Sequence, residues 1–346
     1  MITLVTGATG FVGSHVARLL VAAGDRVRVL VRPGSSRSLL DGLAVEIHEG
    51  DLRAAASVET AVAGVDRVFH VAADYRLWSR NPAEIYDSNV GGTRNLLNAA
   101  CRANVSRFIY TSTVATIAVH RPDSEKTSIL PNENTQAEVV EMIGHYKKSK
   151  FLAEQEALKA ADQGLPVVIV NPTTPVGPGD AKPTPTGRII VDFLNGRMPA
   201  YVNTGLNLVP VEDVAAGHLL AAEHGKSGER YILGGRNMSL KEILTALAYI
   251  CGRPAPRIRL PHAVALMAAY ADRFISRALN REPRIPLEGV RMSRHAMFVD
   301  SLKSERELGF RSGSVEAALE RAVRWYEGRG YVRFAAGNQL AHARTI

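Results

Sequence analysis

Tyr146 and Lys150 stand four residues apart in Gly144-His-Tyr-Lys-Lys-Ser-Lys150, at the head of a stretch rich in Ala, Glu, Lys and Leu that reads as helical to Leu158. Four residues is slightly more than one helical turn, so both side chains leave the same face. A phenol ionises near pH ~10. An ammonium beside it favours the phenoxide and brings that pKa towards neutrality, which makes the Tyr a proton donor and acceptor. A surface Tyr lying over a Lys stem would show the same spacing. The pair gains meaning only from what the rest of the chain places around it.

A second chemical signal lies at the start of the chain. The apolar run Ile2–Thr6 is followed by Gly7-Ala-Thr9-Gly10-Phe11-Val12-Gly13 and a helical run from Ser14 to Ala23. A glycine-rich turn between a strand and a helix is a cradle for a dinucleotide. Gly7 permits the tight turn, Gly10 lets a pyrophosphate approach the backbone, and Gly13 lets the helix pack on the strand, its N-terminus facing the phosphates. After the second strand, where an acid would read a free ribose 2′-hydroxyl, the chain carries Arg32, with Arg37 behind it. A guanidinium suits a 2′-phosphate, so NADP is favoured and NAD remains open; Arg32 could instead stack on the adenine. Asp51, closing the third strand with Leu52, could accept from the adenine amino group or be a plain turn residue. His70-Val-Ala72-Ala73 supplies small residues where backbone and cofactor would pass closely. Asp74, Arg76 and Trp78 follow at once and are expected to line the substrate pocket; Trp78 could equally close the core.

These groups need a scaffold, and the pattern supplies one. Strand-like runs at Arg26–Val31, Val45–Glu49, Arg67–Val71, Ser106–Thr111 and Leu165–Val170 alternate with helical segments, among them Glu84–Ala103, with no hairpin signal. That pattern predicts an α/β fold with a doubly wound parallel sheet (Rossmann). After Asn171-Pro172 the alternation stops and Pro and Gly crowd residues 172–187. A smaller mixed C-terminal substrate domain is expected there, built on the carboxyl ends of the strands. The expected division is 1–171, with 206–234 returning to it, against 172–205 and 235–334, and a mobile tail at 335–346. Asp213 reads as a helix N-cap. The segment from His262 to Asn280 reads as a core-facing helix in preference to one lying on a membrane surface.

Composition narrows the function classes. A chain of 346 residues with 46% hydrophobic content is an ordinary globular protein, and no apolar run approaches the ~20 residues of a membrane span. The first strand-like run begins directly after Met1, so no signal peptide is expected. Two cysteines, Cys101 and Cys251, make neither a disulfide framework nor a metal-ligand spacing, so a cytoplasmic setting without a metal is expected. Residues 1–250 carry 25 basic and 25 acidic side chains, and residues 251–346 carry 17 and 9, so the net charge of +8 lies wholly in the last 96 residues. Such a surface could meet a phosphate-bearing substrate, an anionic membrane face, or solvent alone. No nucleic-acid motif accompanies it.

Taken together, the glycine loop, Asp51-Leu52, His70-Val-Ala-Ala73, Asn89-Val-Gly-Gly-Thr93, Tyr110-Thr-Ser-Thr113, Tyr146-Lys-Lys-Ser-Lys150 and Asn171-Pro172 resemble the extended branch of the short-chain dehydrogenase/reductase family, in its order. The resemblance implies a third catalytic group at Thr113, with Ser112 as the fallback, a nicotinamide ribose bound by Lys150, and Pro172 packed near the nicotinamide. For Asn89 it implies a role at the sheet edge or in a proton relay. Longer strings, His70–Trp78, Met142–Tyr146, Asn171–Pro178, Lys182–Arg188 and Thr204–Val209, are most similar to the hopanoid-associated sugar epimerases, near the dihydroflavonol-4-reductase-like proteins. That likeness implies a bacterial enzyme acting at a secondary alcohol or ketone carbon of a sugar or sugar-lipid, and a homodimer through the helices of residues 84–103 and 138–160. Nucleotide-sugar epimerases carry a phosphate-binding Arg where this chain has Leu206-Asn207-Leu208-Val209. Arg188, Arg197 or Arg291 would have to supply that charge, and Arg188 and Asn207 are the substrate contacts expected from this part of the chain. The alternatives of another class are a non-catalytic cofactor sensor and a membrane-surface protein.

Overall fold

The computed structural model describes residues 1–117 and 129–332; the expected tail at 335–346 lies outside them. Among the described residues, seven parallel strands form one sheet in the order β10-β6-β5-β4-β1-β2-β3. These are β1 (Ile2–Thr6), β2 (Arg26–Val31), β3 (Val45–Glu49), β4 (Arg67–His70), β5 (Arg107–Thr111), β6 (Val167–Pro172) and β10 (Arg230–Leu233). The inner strands are buried along almost their whole length, because parallel strands are covered by helices on both faces. On one face pack α1 (Phe11–Ala22) and α7 (Val211–His224), their Val16, Leu20 and Val214 meeting Val5, Val29 and Ile109 of the sheet. On the other pack α2 (Ala55–Val62), α4 (Gly92–Arg102) and α5 (Gly144–Asp162), through Val58, Leu96, Ala153 and Ala157. The strand order reverses between β1 and β4, and the crevice beyond their carboxyl ends is where such sheets bind ligands.

The helix expected at Glu84–Ala103 is interrupted. α3 (Ala83–Tyr86) runs through a π-helical turn at Asp87–Gly91 before α4 begins. The wider turn brings Asn89 to face both the loop after β4 and α5: its Nδ2 donates to Asp74 O and to Ser149 Oγ, each at 2.9 Å. Gly92 then lets α4 close onto Leu52, whose Cβ would lie 2.9 Å from an added side chain.

The rest of the chain forms a second core over the sheet's carboxyl edge. Three short strands, β7 (Thr174–Val176), β9 (Gly205–Pro210) and β11 (Arg236–Ser239), pair in the order β11-β9-β7, and β8 (Ala200–Val202) pairs with β12 (Ile258–Leu260). Against them lie α6 (Pro185–Leu194), α8 (Leu240–Cys251) and α12 (Val315–Gly328), which bury Ile190, Leu244 and Leu319 with Met238. Local signals set these helices. Ser239 and Glu242 form a capping box on α8, Gly252 ends it at φ 62°, and Ser314 caps α12.

Two expectations are corrected here. Asp213 does not cap α7, whose N-cap is Pro210; it sits in the first turn and accepts from Gly313 N at 2.7 Å. The helix at His262–Ala278, α9, is not core-facing, since only Ala269 and Ser276 of it are buried. The apolar period is present but faces outwards. Among the described residues no helix is long and apolar enough to cross a membrane.

Candidate active site

At the glycine turn, Gly7 has φ +75° and a Cβ there would lie 2.6 Å from Ala72 N. Gly13 is as constrained, its Cβ falling 2.2 Å from Gly7 O. Gly10 N donates to Gly7 O at 2.9 Å, and α1 begins without a side-chain cap, leaving its first N–H groups to the crevice. Thr9, Phe11 and Val12 are half-buried around it. These residues fit a dinucleotide, because the backbone is open where a pyrophosphate would lie and no side chain competes for the helix end. Arg32 is exposed at the end of β2 and acts on Asp51, whose carboxyl is held below its usual range by the Arg53 guanidinium first and by Arg32 less strongly. Arg53 grips Asp51 at 2.6–3.1 Å, and Arg37 is paired with Glu49. Leu52 is half-buried under Gly92, and Pro172 is buried at the end of β6.

The catalytic candidates converge on the same edge. Thr113 leaves β5 extended and caps a short 3-10 turn, accepting from Ala115 N at 3.2 Å. Its side chain lies beside the Tyr146 phenol and acts on its ionisation. Tyr146 lies in the first turn of α5, and burial raises its pKa while the Thr113 side chain lowers it. Lys150 lies on the buried side of α5, where burial lowers its pKa to about 7 against the pull of Glu154. Its Nζ donates to Tyr110 Oη at 2.9 Å and to Thr111 O at 2.8 Å. The expected lowering of the Tyr146 pKa by Lys150 is therefore not realised in this arrangement. The ammonium is directed at Tyr110, and desolvation dominates the Tyr146 phenol.

Tyr110 belongs to a buried chain that the sequence did not reveal. It hydrogen bonds to Thr93, Thr93 Oγ1 lies 2.9 Å from His70 Nε2, and His70 Nδ1 lies 2.7 Å from Thr6 Oγ1. Thr6 Oγ1 in turn accepts from Ala72 N at 3.3 Å. Lys150 is thus connected side chain by side chain to the strand that ends in the glycine turn. No motif signals this, because each residue sits inside an apolar strand or helix and only strand order brings them together. Behind Thr113, buried Glu154 accepts from Ser112, from Thr116 and from Asn171 Nδ2 at 2.9 Å, so Ser112, the alternative to Thr113, points at a carboxylate. Asn171 Nδ2 also donates to Thr113 O at 3.1 Å.

The expected substrate residues divide. Asp74 and Arg76 form a bidentate pair at 2.6–3.0 Å, Arg76 reaches Glu84 at 3.2 Å, and both follow the segment that Asn89 holds. Trp78 is half-buried beyond them. Arg188 stands exposed on α6. Asn207 is corrected: it is 1% exposed, accepts from Gly235 N at 2.7 Å and donates to Asn237 Oδ1 at 2.8 Å. Its amide is consumed in joining β9 to β11. A residue with no site signal holds the catalytic helix instead. Glu288 accepts from His145 N–H, and Gly144, at φ +81°, leaves room for its carboxylate, whose Oε2 would lie 2.0 Å from a Cβ. Burial pushes the Glu288 carboxyl up, and His145, Arg291 and Arg273 pull it back. Among the described residues no cluster of His, Cys, Asp or Glu could hold a metal.

A parallel sheet with this turn at its first crossover and a Thr, Tyr and Lys at its carboxyl edge defines a nicotinamide-dependent enzyme of the extended short-chain dehydrogenase/reductase type. The chain belongs to the NAD dependent epimerase/dehydratase family, whose model matches residues 3–234. It is 47% identical over 95% of both chains to a putative dihydroflavonol 4-reductase of Synechocystis sp.. It is 38% identical, over 96% of this chain and the whole of the relative, to sterol demethylase protein B of Methylococcus capsulatus. The crystal structure of gox2253, 45% identical, superposes with a TM-score of 0.84 over 96% of this chain and 99% of that one.

Proposed function

We propose that the protein oxidises or reduces a secondary alcohol or ketone carbon on a lipid-class substrate, a polycyclic or sugar-bearing isoprenoid such as a hopanoid, with NADP(H). The placing of the Thr113 side chain beside the Tyr146 phenol, at the edge of the sheet that the glycine turn faces, carries this reading. A bound nicotinamide would supply or accept the hydride. Tyr146 passes the proton to the substrate oxygen, and Thr113 holds that oxygen beside it. Lys150, one helical turn from Tyr146 and held by Tyr110 Oη and Thr111 O, would turn towards a bound nicotinamide ribose and there steady the phenoxide by its charge. Asp74 and Arg76 would bound the pocket, with Trp78 offering an apolar wall.

Arg32, exposed at the end of β2, supports NADP, since its guanidinium could meet a 2′-phosphate there, while Arg53 is taken up by Asp51. The substrate class is supported by the sterol named in one relative and by the absence of a basic residue in Leu206–Val209, which argues against a nucleotide-sugar. Net reduction is therefore favoured over epimerisation, and two free cysteines fit a cytoplasmic setting.

Purified wild type and Tyr146→Phe, screened by mass spectrometry against polycyclic and sugar-bearing ketones, provide the test. Removing the phenol should lower kcat roughly 10²- to 10⁴-fold with cofactor affinity kept. NADPH should be consumed in step with product and preferred to NADH. Undiminished turnover by Tyr146→Phe would refute the mechanism. Turnover without net NADPH change would make the enzyme an epimerase, and equal use of NADH would remove the role given to Arg32.

A further inference from the structure

Among the described residues, the outer surface of α9 is a largely exposed apolar face, with Tyr270 at its border touched by Arg291. Val264, Met267, Tyr270, Phe274 and Ile275, with the alanines between them, occupy roughly 160° of the helix circumference at 3.6 residues per turn, without an interrupting charge. Met267 is 64% exposed, Phe274 78% and Leu279, just past the helix, 65%. Folding should have buried such a stripe or replaced it, and scattered exposed apolar residues do not align this way.

Charge borders the stripe on one side. Arg273 and Arg277 project at its edge, and Arg257, Arg259 and Arg284 lie in the segments that enter and leave α9. The acid of the helix, Asp272, is already held by Arg281 at 2.7 Å and by Ile285 N at 2.8 Å. This is also the part of the chain that carries the whole net charge of +8.

We propose that α9 lies on an anionic lipid surface, its apolar face in the headgroup boundary and its arginines on the lipid phosphates. A second copy is a poorer occupant, because a two-fold contact through this face would set arginines against arginines. The position of α9 gives the docking a purpose. His262 Nε2 lies 2.7 Å from Val290 O, and Arg291 donates to Tyr270 Oη at 2.9 Å, which ties α9 to α10 (Leu287–Met292). α10 carries Glu288, on the N-terminus of the Tyr146 helix, and Gly289, where an added Cβ would lie 3.7 Å from Leu77 Cδ1. Arg80 donates to Asn280 O at 2.8 Å at the end of α9. The unit that would rest on the membrane is therefore also the unit against the loop at residues 74–80, and a substrate dissolved in lipid would enter beside it. That last step rests on the redox reading above; the docking itself does not.

Sedimentation of the full chain with vesicles of phosphatidylcholine alone, and of phosphatidylcholine with phosphatidylglycerol, at low and high salt, tests the proposal. Wild type should co-sediment with the anionic vesicles at low salt. Met267→Glu/Phe274→Glu and Arg273→Ser/Arg277→Ser should each weaken that binding roughly tenfold, and salt should weaken it too. Unchanged thermal melts would show that the variants fold; Ala271→Glu, a smaller change on the same arc, serves if the first pair does not. Wild type left in the supernatant, or Glu variants that sediment like wild type, would overturn the proposal. Equal binding to phosphatidylcholine alone would overturn the anionic partner, and Glu variants that alter the oligomeric state without altering vesicle binding would assign the face to a second copy. Binding is read without turnover, so its failure and the failure of the redox reading are distinguishable.

Discussion

His70 shows what a side chain inside the sheet does for the site. Burial first, and the Lys150 charge second, lower its pKa to about 3, so it is neutral in the folded protein and links Thr6 to Thr93. In the unfolded chain it titrates near pH ~6.5. Between those values the unfolded state binds a proton that the folded state does not, so stability is full above pH ~6.5 and falls by about 1.4 kcal/mol per pH unit below it. His218, lowered to about 4 by burial and set 2.9 Å from Thr111, adds a loss of the same sign. Urea unfolding of wild type and His70→Asn across pH 7 to about 4 should show the variant less stable at pH 7 and the gap closing on acidification. A gap that stays constant would show that His70 does not remain neutral. Tyr146, Lys150 and the glycines were legible in the sequence because their chemistry is encoded in short spacings. The contacts among His70, Thr93 and Tyr110 were not, because the sheet and α4 bring together residues as far apart in the chain as Thr6 and His70, 64 positions.

At the scale of the element, α5 is the part to perturb. Its N-terminus depends on Gly144, held at φ +81°, and on Glu288 from 144 residues further along the chain. Gly144→Ala would strain the backbone and drive a methyl group into the Glu288 carboxylate, costing about 1–3 kcal/mol and shifting Tyr146 against Thr113. Thermal melts should show the loss, and kinetics should show kcat falling more than KM rises, because the proton donor is displaced directly and the segment at residues 74–78, proposed to bound the pocket, only through Glu288 and α10. Glu288→Gln, which keeps an acceptor for His145 N–H, should retain most of the activity. A Gly144→Ala enzyme with unaltered melt and kcat would show that the cap does not position Tyr146. The regular strands and helices were readable from period and punctuation. The π turn that aims Asn89 was not, since an added residue in a helical turn leaves the apolar pattern nearly unchanged. Likewise the outward face of α9 shows the same period as a buried one; periodicity identifies the stripe but not what lies against it.

Among the described residues, the apolar faces of α9 and α5 differ in the charges around them, and they call for different partners. α9 is rimmed by arginines. The face of α5 opposite Lys150 exposes Leu152, 37% accessible, and the segment before it exposes Val140 and Ile143. Alongside runs α4, tied to α5 by Arg94 and Glu156 at 2.6 Å. This face carries both signs of charge around an apolar strip, so a copy related by a two-fold axis can set Arg94 of one chain near an acid of the other. The homodimer expected from the resemblance would use this surface of α4 and α5. Such a dimer would brace both catalytic helices against each other and leave α9 free for lipid. Leu152→Glu should convert dimer to monomer in sedimentation velocity, while Met267→Glu/Phe274→Glu should leave the dimer intact. A wild type that sediments as a monomer, or a Leu152→Glu protein that remains dimeric, would show that this face is not the interface. Because both apolar surfaces border α5 or its cap, the same two variants also report whether assembly alters turnover. Loss of the dimer with kcat preserved would place the whole of the catalytic support within one chain, in Glu288 and Asn89.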